Sequence, residues 1–150
     1  MDGELANWDP SFTRQVLGRM WPLLRLYFRA EVRGLGGLMP RSGGALVVCN
    51  HSGGGMLTPD VSIFGPAFYA EFGYERPLYT LAHYGIFIAP WGPLLPRLGV
   101  VHASPKAARA ALDAGAVVLV FPGGDYDATG PHHGETRSTS TDAPAMRAPR

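Results

Sequence analysis

Strand-like apolar runs that alternate with capped helix signals restrict this chain more than any other feature. Ala45 to Cys49 is apolar throughout, Leu78 to Ala82 and Gly99 to His102 read as further strands, and Ala116 to Phe121 reads as a buried one. Two well-marked helices lie between them. Thr58 as N-cap with Pro59 behind it starts a helix through about Phe72 that Gly73 closes, and Ser104-Pro105 caps one over Lys106 to Ala114 that Gly115 ends. Strands apolar on every residue need cover on both faces, so the alternation predicts an α/β fold, a layered and largely parallel sheet flanked by helices. Ile86 to Leu98, broken by Pro90, Pro93 and Pro96, leaves two readings open: a surface helix in pieces, or a membrane-facing loop.

Composition narrows the partners. With 150 residues, 46% of them hydrophobic, the chain is one domain at most and long enough to bury a core. A net charge of +1 without a Lys/Arg-rich run argues against nucleic acid. The single Cys49, inside an apolar strand, reads as a small buried hydrophobe, so no disulfide framework is expected and a cytoplasmic setting fits. No stretch supplies the roughly 20 apolar residues of a spanning helix, so any membrane contact is predicted to be peripheral, at the inner face. His83 and His102 have no Cys or carboxylate at ligand spacing, and neither a metal nor a bound cofactor is expected.

Near the start, Asp9-Pro10 pairs an N-cap with proline in the first helical position. It opens a helix predicted to run toward Val32, stop at Gly34, and kink or restart at Pro22. Trp21, Leu23, Leu24, Leu26, Tyr27 and Phe28 give it a broad apolar surface, while Arg25, Arg29 and Arg33 recur every fourth residue. That pattern suits an interfacial helix on anionic lipid headgroups, and equally an amphipathic helix packed on the core.

In parallel sheets, the loops leaving the carboxyl ends of strands build the site. Two such exits are glycine-rich: Asn50-His51-Ser52-Gly53-Gly54-Gly55 after the first strand, and Pro122-Gly123-Gly124-Asp125 after the last. If their strands are neighbours, both loops border one cleft. Asp60 follows His51 by nine residues, which puts a carboxylate in the first turn of the next helix, facing an imidazole at a strand exit. A histidine base oriented by a carboxylate activates a hydroxyl. The plainer alternatives are a capping imidazole and two tight turns.

Three ordered blocks carry a family resemblance: Asn50-His51-Ser52-Gly53-Gly54 with Pro59-Asp60, then Gly99-Val100-Val101-His102-Ala103-Ser104, then Val118-Leu119-Val120-Phe121-Pro122-Gly123-Gly124. Over roughly residues 29–127 the chain resembles the PlsC-like glycerolipid acyltransferase superfamily, and within it the bacterial branch similar to diacylglycerol acyltransferases. The resemblance implies transfer of an acyl group from acyl-CoA or acyl carrier protein to a lipid hydroxyl, with His51 as catalytic base and Asp60 as its orienting acid. Four residues usually separate that pair in the family; here there are eight, and Met56 holds the usual aspartate position. Ser104 and Lys106 stand where the family carries a phosphate-gripping arginine, and Gly123 stands where it carries a glutamate. A neutral or large lipid alcohol is therefore expected in place of glycerol 3-phosphate. Ser52, Gly53, Gly54, Pro122, Gly123, Gly124 and Asp125 complete the expected substrate-binding set. For Lys106 a solvated surface position is the alternative.

From Thr129 the pattern breaks into a Gly/Pro/His/Ser/Thr mixture, for which disorder is expected. The organisation predicted is an N-terminal amphipathic segment over 1–33, a partial acyltransferase domain over 34–128, and a tail over 129–150 that a truncated gene or a shifted reading frame would explain. On that expectation a sheet edge is left exposed, and a catalytically inactive remnant that only adheres to membranes is the alternative to an enzyme.

Overall fold

A computed structural model describes residues 3–51 and 59–122. Four strands form one sheet in which every pairing is parallel: β1 (Ala45–Val48), β2 (Leu78–Ala82), β3 (Val100–His102) and β4 (Val117–Val120), in the order β1-β4-β2-β3. The helices are α1 (Pro10–Phe28), the short α2 (Leu35–Leu38), α3 (Pro59–Phe72) and α4 (Pro105–Asp113). The α/β parallel sheet predicted from the alternation is the fold. β1 and β4, the strands with glycine-rich exits, are neighbours with Ala45 opposite Val117 and Val48 opposite Val120.

Strand periodicity sorts the core into two layers. Val117, Leu119 and Phe121 of the β4 segment face Phe68 and Tyr69 of α3, together with Leu78, Val47 and Cys49. The alternate residue Val118 faces Ala111 of α4 with Tyr79 and Val101. The sheet is thus covered on both faces around β4, which explains why its residues 117 to 119 are fully buried. At the edge, β1 is covered on one face only: Leu46 and Val48, which alternate with buried-face Val47, are more than half exposed.

Tyr69 ties α3 to the sheet, its hydroxyl accepting the Leu78 backbone N–H at 3.0 Å. Burial pushes its pKa from 10.0 up to about 12. Below pH 10 the phenol is neutral in both folded and unfolded chains. As pH rises from about 10 through 12, the unfolded chain loses a proton that the folded one keeps, so stability should fall by on the order of 2–3 kcal/mol. Urea midpoints across that range should fall for the wild type and decline less steeply for Tyr69→Phe.

Helix α1 departs from its predicted length. It passes through Pro22 without a break but ends at Phe28, with Arg29 in the left-handed region at φ 48°, short of Val32 and Gly34. Its first half packs: Thr13 is fully buried, with its hydroxyl on the Arg97 carbonyl, and Leu17 touches α3 at Gly65. Its last turns do not. Leu26 and Tyr27 are 78% and 82% exposed. The first half thus packs on the core, and the last turns leave their apolar side chains exposed. The Ile86 to Leu98 stretch becomes two 3-10 stretches, Tyr84–Ile88 and Gly92–Leu98, in place of α-helix. Among the described residues no helix is long and apolar enough to cross a membrane.

The entrances to β1 and β4 are tied together at the amino end of the sheet. The Arg76 guanidinium donates to the carbonyls of Gly115, Pro40 and Gly43, and one arginine thereby joins three loops.

Candidate active site

The sequence places His51 three residues beyond β1, and Asp60 in the first turn of α3 behind Pro59, which is pre-set for a helix start. Asp60 Oδ1 accepts the Val61 N–H at 3.1 Å, and a carboxylate in that first turn is favoured by the helix dipole. Its other oxygen, Oδ2, lies 2.8 Å from His51 Nδ1. The structure thus brings the two residues together across the nine-residue separation, despite the irregular spacing. Both side chains are largely shielded, at 12% and 18% exposure, which strengthens the contact relative to one in water.

Phe121 supplies what the sequence did not reveal. Its ring lies parallel beneath the imidazole, centroids 4.0 Å apart and planes within 7°. The Cys49 N–H bonds to the Val120 carbonyl at 3.0 Å, extending the β1–β4 ladder by one rung and fixing the two rings side by side. The only signal in the sequence was the position of Phe121 at the end of an apolar strand beside a glycine loop. With carboxylate on one edge and phenyl beneath, the imidazole has one orientation. With Nδ1 donating to Asp60, Nε2 carries the lone pair, the arrangement a general base requires. Beside this pair, burial, and after it the Asp60 charge, push the Cys49 thiol pKa up.

The other predicted residues separate into three groups. Pro122 directly follows Phe121 and borders the imidazole's strand pair. Ser104 and Lys106 follow β3, three strand positions from β1 and so about 14 Å across the sheet. The Ser104 hydroxyl accepts the Ala107 N–H at 3.0 Å as the cap of α4. Ser52, Gly53, Gly54, Gly123, Gly124 and Asp125 lie outside the described residues.

His102 has a carboxylate partner after all. Glu4, 98 residues earlier, meets its Nδ1 and its backbone N–H, and Phe87 stacks on its ring at 4.0 Å. Spacing could not reveal a partner so remote in sequence. Among the described residues no group of three or more His, Cys, Asp or Glu side chains could hold a metal. A cleft of about 660 Å³ lined by Asn7, Trp8, Asp9, Pro93, Pro96 and Arg97 opens toward the amino end of the sheet, and Asp9 there is already paired with Arg97 at 2.7 Å. Neither His51 nor Asp60 is among its lining residues.

The chain is 34% identical over 123 residues to an uncharacterized protein of Mycobacterium leprae (strain TN), covering 79% of this chain and 32% of that one. An uncharacterized protein of Mycobacterium tuberculosis (strain ATCC 25618 / H37Rv) is also 34% identical over 123 residues, with 79% and 33% covered. The chain therefore spans about a third of the length of these curated relatives. No solved structure matches it. Residues 30–147 match the Acyltransferase family, a match that takes in both His51 and Asp60, and the chain belongs to that family.

Proposed function

We propose that this domain transfers a fatty acyl group from a thioester, acyl-CoA or acyl carrier protein, to the hydroxyl of a glycerolipid or other lipid alcohol. The observation that carries the reading is the imidazole held by Asp60 at 2.8 Å and backed by Phe121, at the carboxyl end of the sheet. As the acceptor oxygen attacks the thioester carbonyl, His51 Nε2 takes the hydroxyl proton, and Asp60 stabilises the imidazolium that forms. Collapse of the tetrahedral intermediate re-forms the carbonyl and breaks the carbon–sulfur bond. The proton passes from the imidazolium to the departing thiolate.

A neutral acceptor is favoured over a phosphorylated one. Where the family carries a phosphate-gripping arginine, this chain has Ser104 and Lys106, with the Ser104 hydroxyl accepting the Ala107 N–H as the cap of α4, and Gly123 replaces the family's glutamate. This supports placement near the diacylglycerol-acyltransferase-like branch. A monoacyl- or diacylglycerol meets the enzyme at a membrane surface, and the exposed end of α1, with Leu26, Tyr27, Arg25 and Arg29, suits peripheral contact there.

The test is transfer from a radiolabelled acyl-CoA to monoacylglycerol, diacylglycerol and glycerol 3-phosphate. The proposal expects product with the neutral acceptors and little with the phosphate. Product indistinguishable from a His51→Ala background with every acceptor would leave only the membrane-adhering role.

A further inference from the structure

Strand direction places two exposed apolar surfaces at the same end of the molecule as the imidazole. Because all four strands are parallel, His51 after β1 and Tyr84–Ile88 after β2 emerge at one end of the sheet. The 3-10 stretch is held there: the Phe87 ring stacks on His102, the last residue of β3, and the chain turns so tightly that a Cβ on Gly92 would lie 1.9 Å from the Phe87 carbonyl oxygen. Tyr84, Ile88 and Trp91 project from this anchored stretch at 63%, 76% and 53% exposure.

The second surface arrives from a different element. Arg14 lies over Tyr74, beyond the end of α3, and Leu17 touches Gly65 within it, so α1 runs antiparallel to α3 and heads for the end where Asp60 sits. From Leu17 the helix continues about 16 Å to Phe28, whereas α3 extends only about 9 Å from Gly65 back to Pro59. The tip carrying Leu23, Leu26 and Tyr27 therefore overshoots the start of α3 on the catalytic side.

Charge selects the partner. Arg25 and Arg29 are exposed on the α1 tip. The described carboxylates nearby are already engaged, Asp60 with His51, Glu4 with His102 and Glu31 with Arg33 at 2.7 Å. Apolar side chains flanked by cations suit a bilayer surface bearing anionic headgroups.

We infer that this domain seats on an anionic lipid surface at two points, the tip of α1 and the Tyr84–Ile88–Trp91 ridge, with the His51–Asp60 pair between them facing the bilayer. The inference deepens the proposed function and rests on it for the substrate that the bilayer delivers. Two-point seating fixes orientation, which a single amphipathic helix does not. It presents Nε2 to acceptor hydroxyls at the headgroup level while the acyl chains stay in the membrane.

Vesicle flotation of the full chain tests it, using phosphatidylcholine with phosphatidylglycerol against phosphatidylcholine alone. Binding should favour the anionic vesicles. Ile88→Ser/Trp91→Ser should weaken it roughly tenfold, from the apolar area withdrawn from the bilayer. Arg25→Gln/Arg29→Gln should weaken it roughly tenfold through lost headgroup attraction. Vesicles of brominated lipid should quench a component of the wild-type tryptophan emission that is missing in Trp91→Phe, a readout that does not depend on either double variant folding. Flotation unaffected by Ile88→Ser/Trp91→Ser, or no Trp91-dependent quenching, overturns the second docking point. Transfer from a short-chain thioester to a water-soluble alcohol separates the two claims. A docking failure leaves that reaction intact in every variant, whereas a failed enzyme reading leaves it absent while flotation still responds to the substitutions.

Discussion

His51→Ala should lower acyl transfer by roughly a thousandfold or more, with little change in the thermal midpoint, because removing a positioned general base forfeits about 10²–10⁴ in rate and the ring lies at the rim of the core. Asp60→Asn keeps the shape but replaces a carboxylate with an amide that can also present an N–H to the ring. The imidazolium then lacks its counter-charge, and the ring is free to adopt the wrong tautomer. A fall of roughly a hundredfold in kcat is expected, with KM little changed, since the loss is felt in the transition state. The double variant should be scarcely worse than His51→Ala alone, because the aspartate acts only through the imidazole. Additive losses would show that Asp60 has a separate role. Single-turnover rates with a labelled thioester give all three numbers.

The largest stability effect is expected at Phe68. Its side chain is fully buried, edge-on to Tyr69 with centroids 5.1 Å apart and also 5.1 Å from Phe72, in the layer that joins α3 to β4. Phe68→Ala should cost about 3–5 kcal/mol from lost transfer energy plus the cavity left behind. A domain of this size has roughly 5–15 kcal/mol in total, so the variant should be marginally folded at best. Chemical denaturation followed by circular dichroism measures the shift, and Phe68→Leu should recover much of it by refilling the space. A loss below about 1 kcal/mol would mean that α3 is not held by this layer.

The fold was legible because its signals are local. Apolar runs and proline-marked helix starts set strands and helices within a residue or two of where they lie: β2 coincides with Leu78 to Ala82, and α4 begins at Pro105, one residue ahead of the predicted span. The end of α1 was not legible, since the helix is closed after Phe28 by Arg29 in the left-handed region, a conformation that sequence signals through glycine and not arginine. The site divides along the same line. His51 and Asp60 are close in the chain and were found together. Phe121, 70 positions from His51, reaches it only through the β1–β4 pairing, and Glu4 reaches His102 only because the chain start folds beside β3. Ser104 was legible as a cap, and its hydroxyl accepts the Ala107 N–H as expected.

The Arg76 clamp joins the loops around Pro40, Gly43 and Gly115 at the end of the sheet opposite the imidazole. Strand alignment is thereby fastened at the end away from the His51–Asp60 pair. The domain is accordingly suited to loop grafting: segments beyond the carboxyl ends of β2 and β3 are exchangeable without loosening the fasteners that keep the sheet in register.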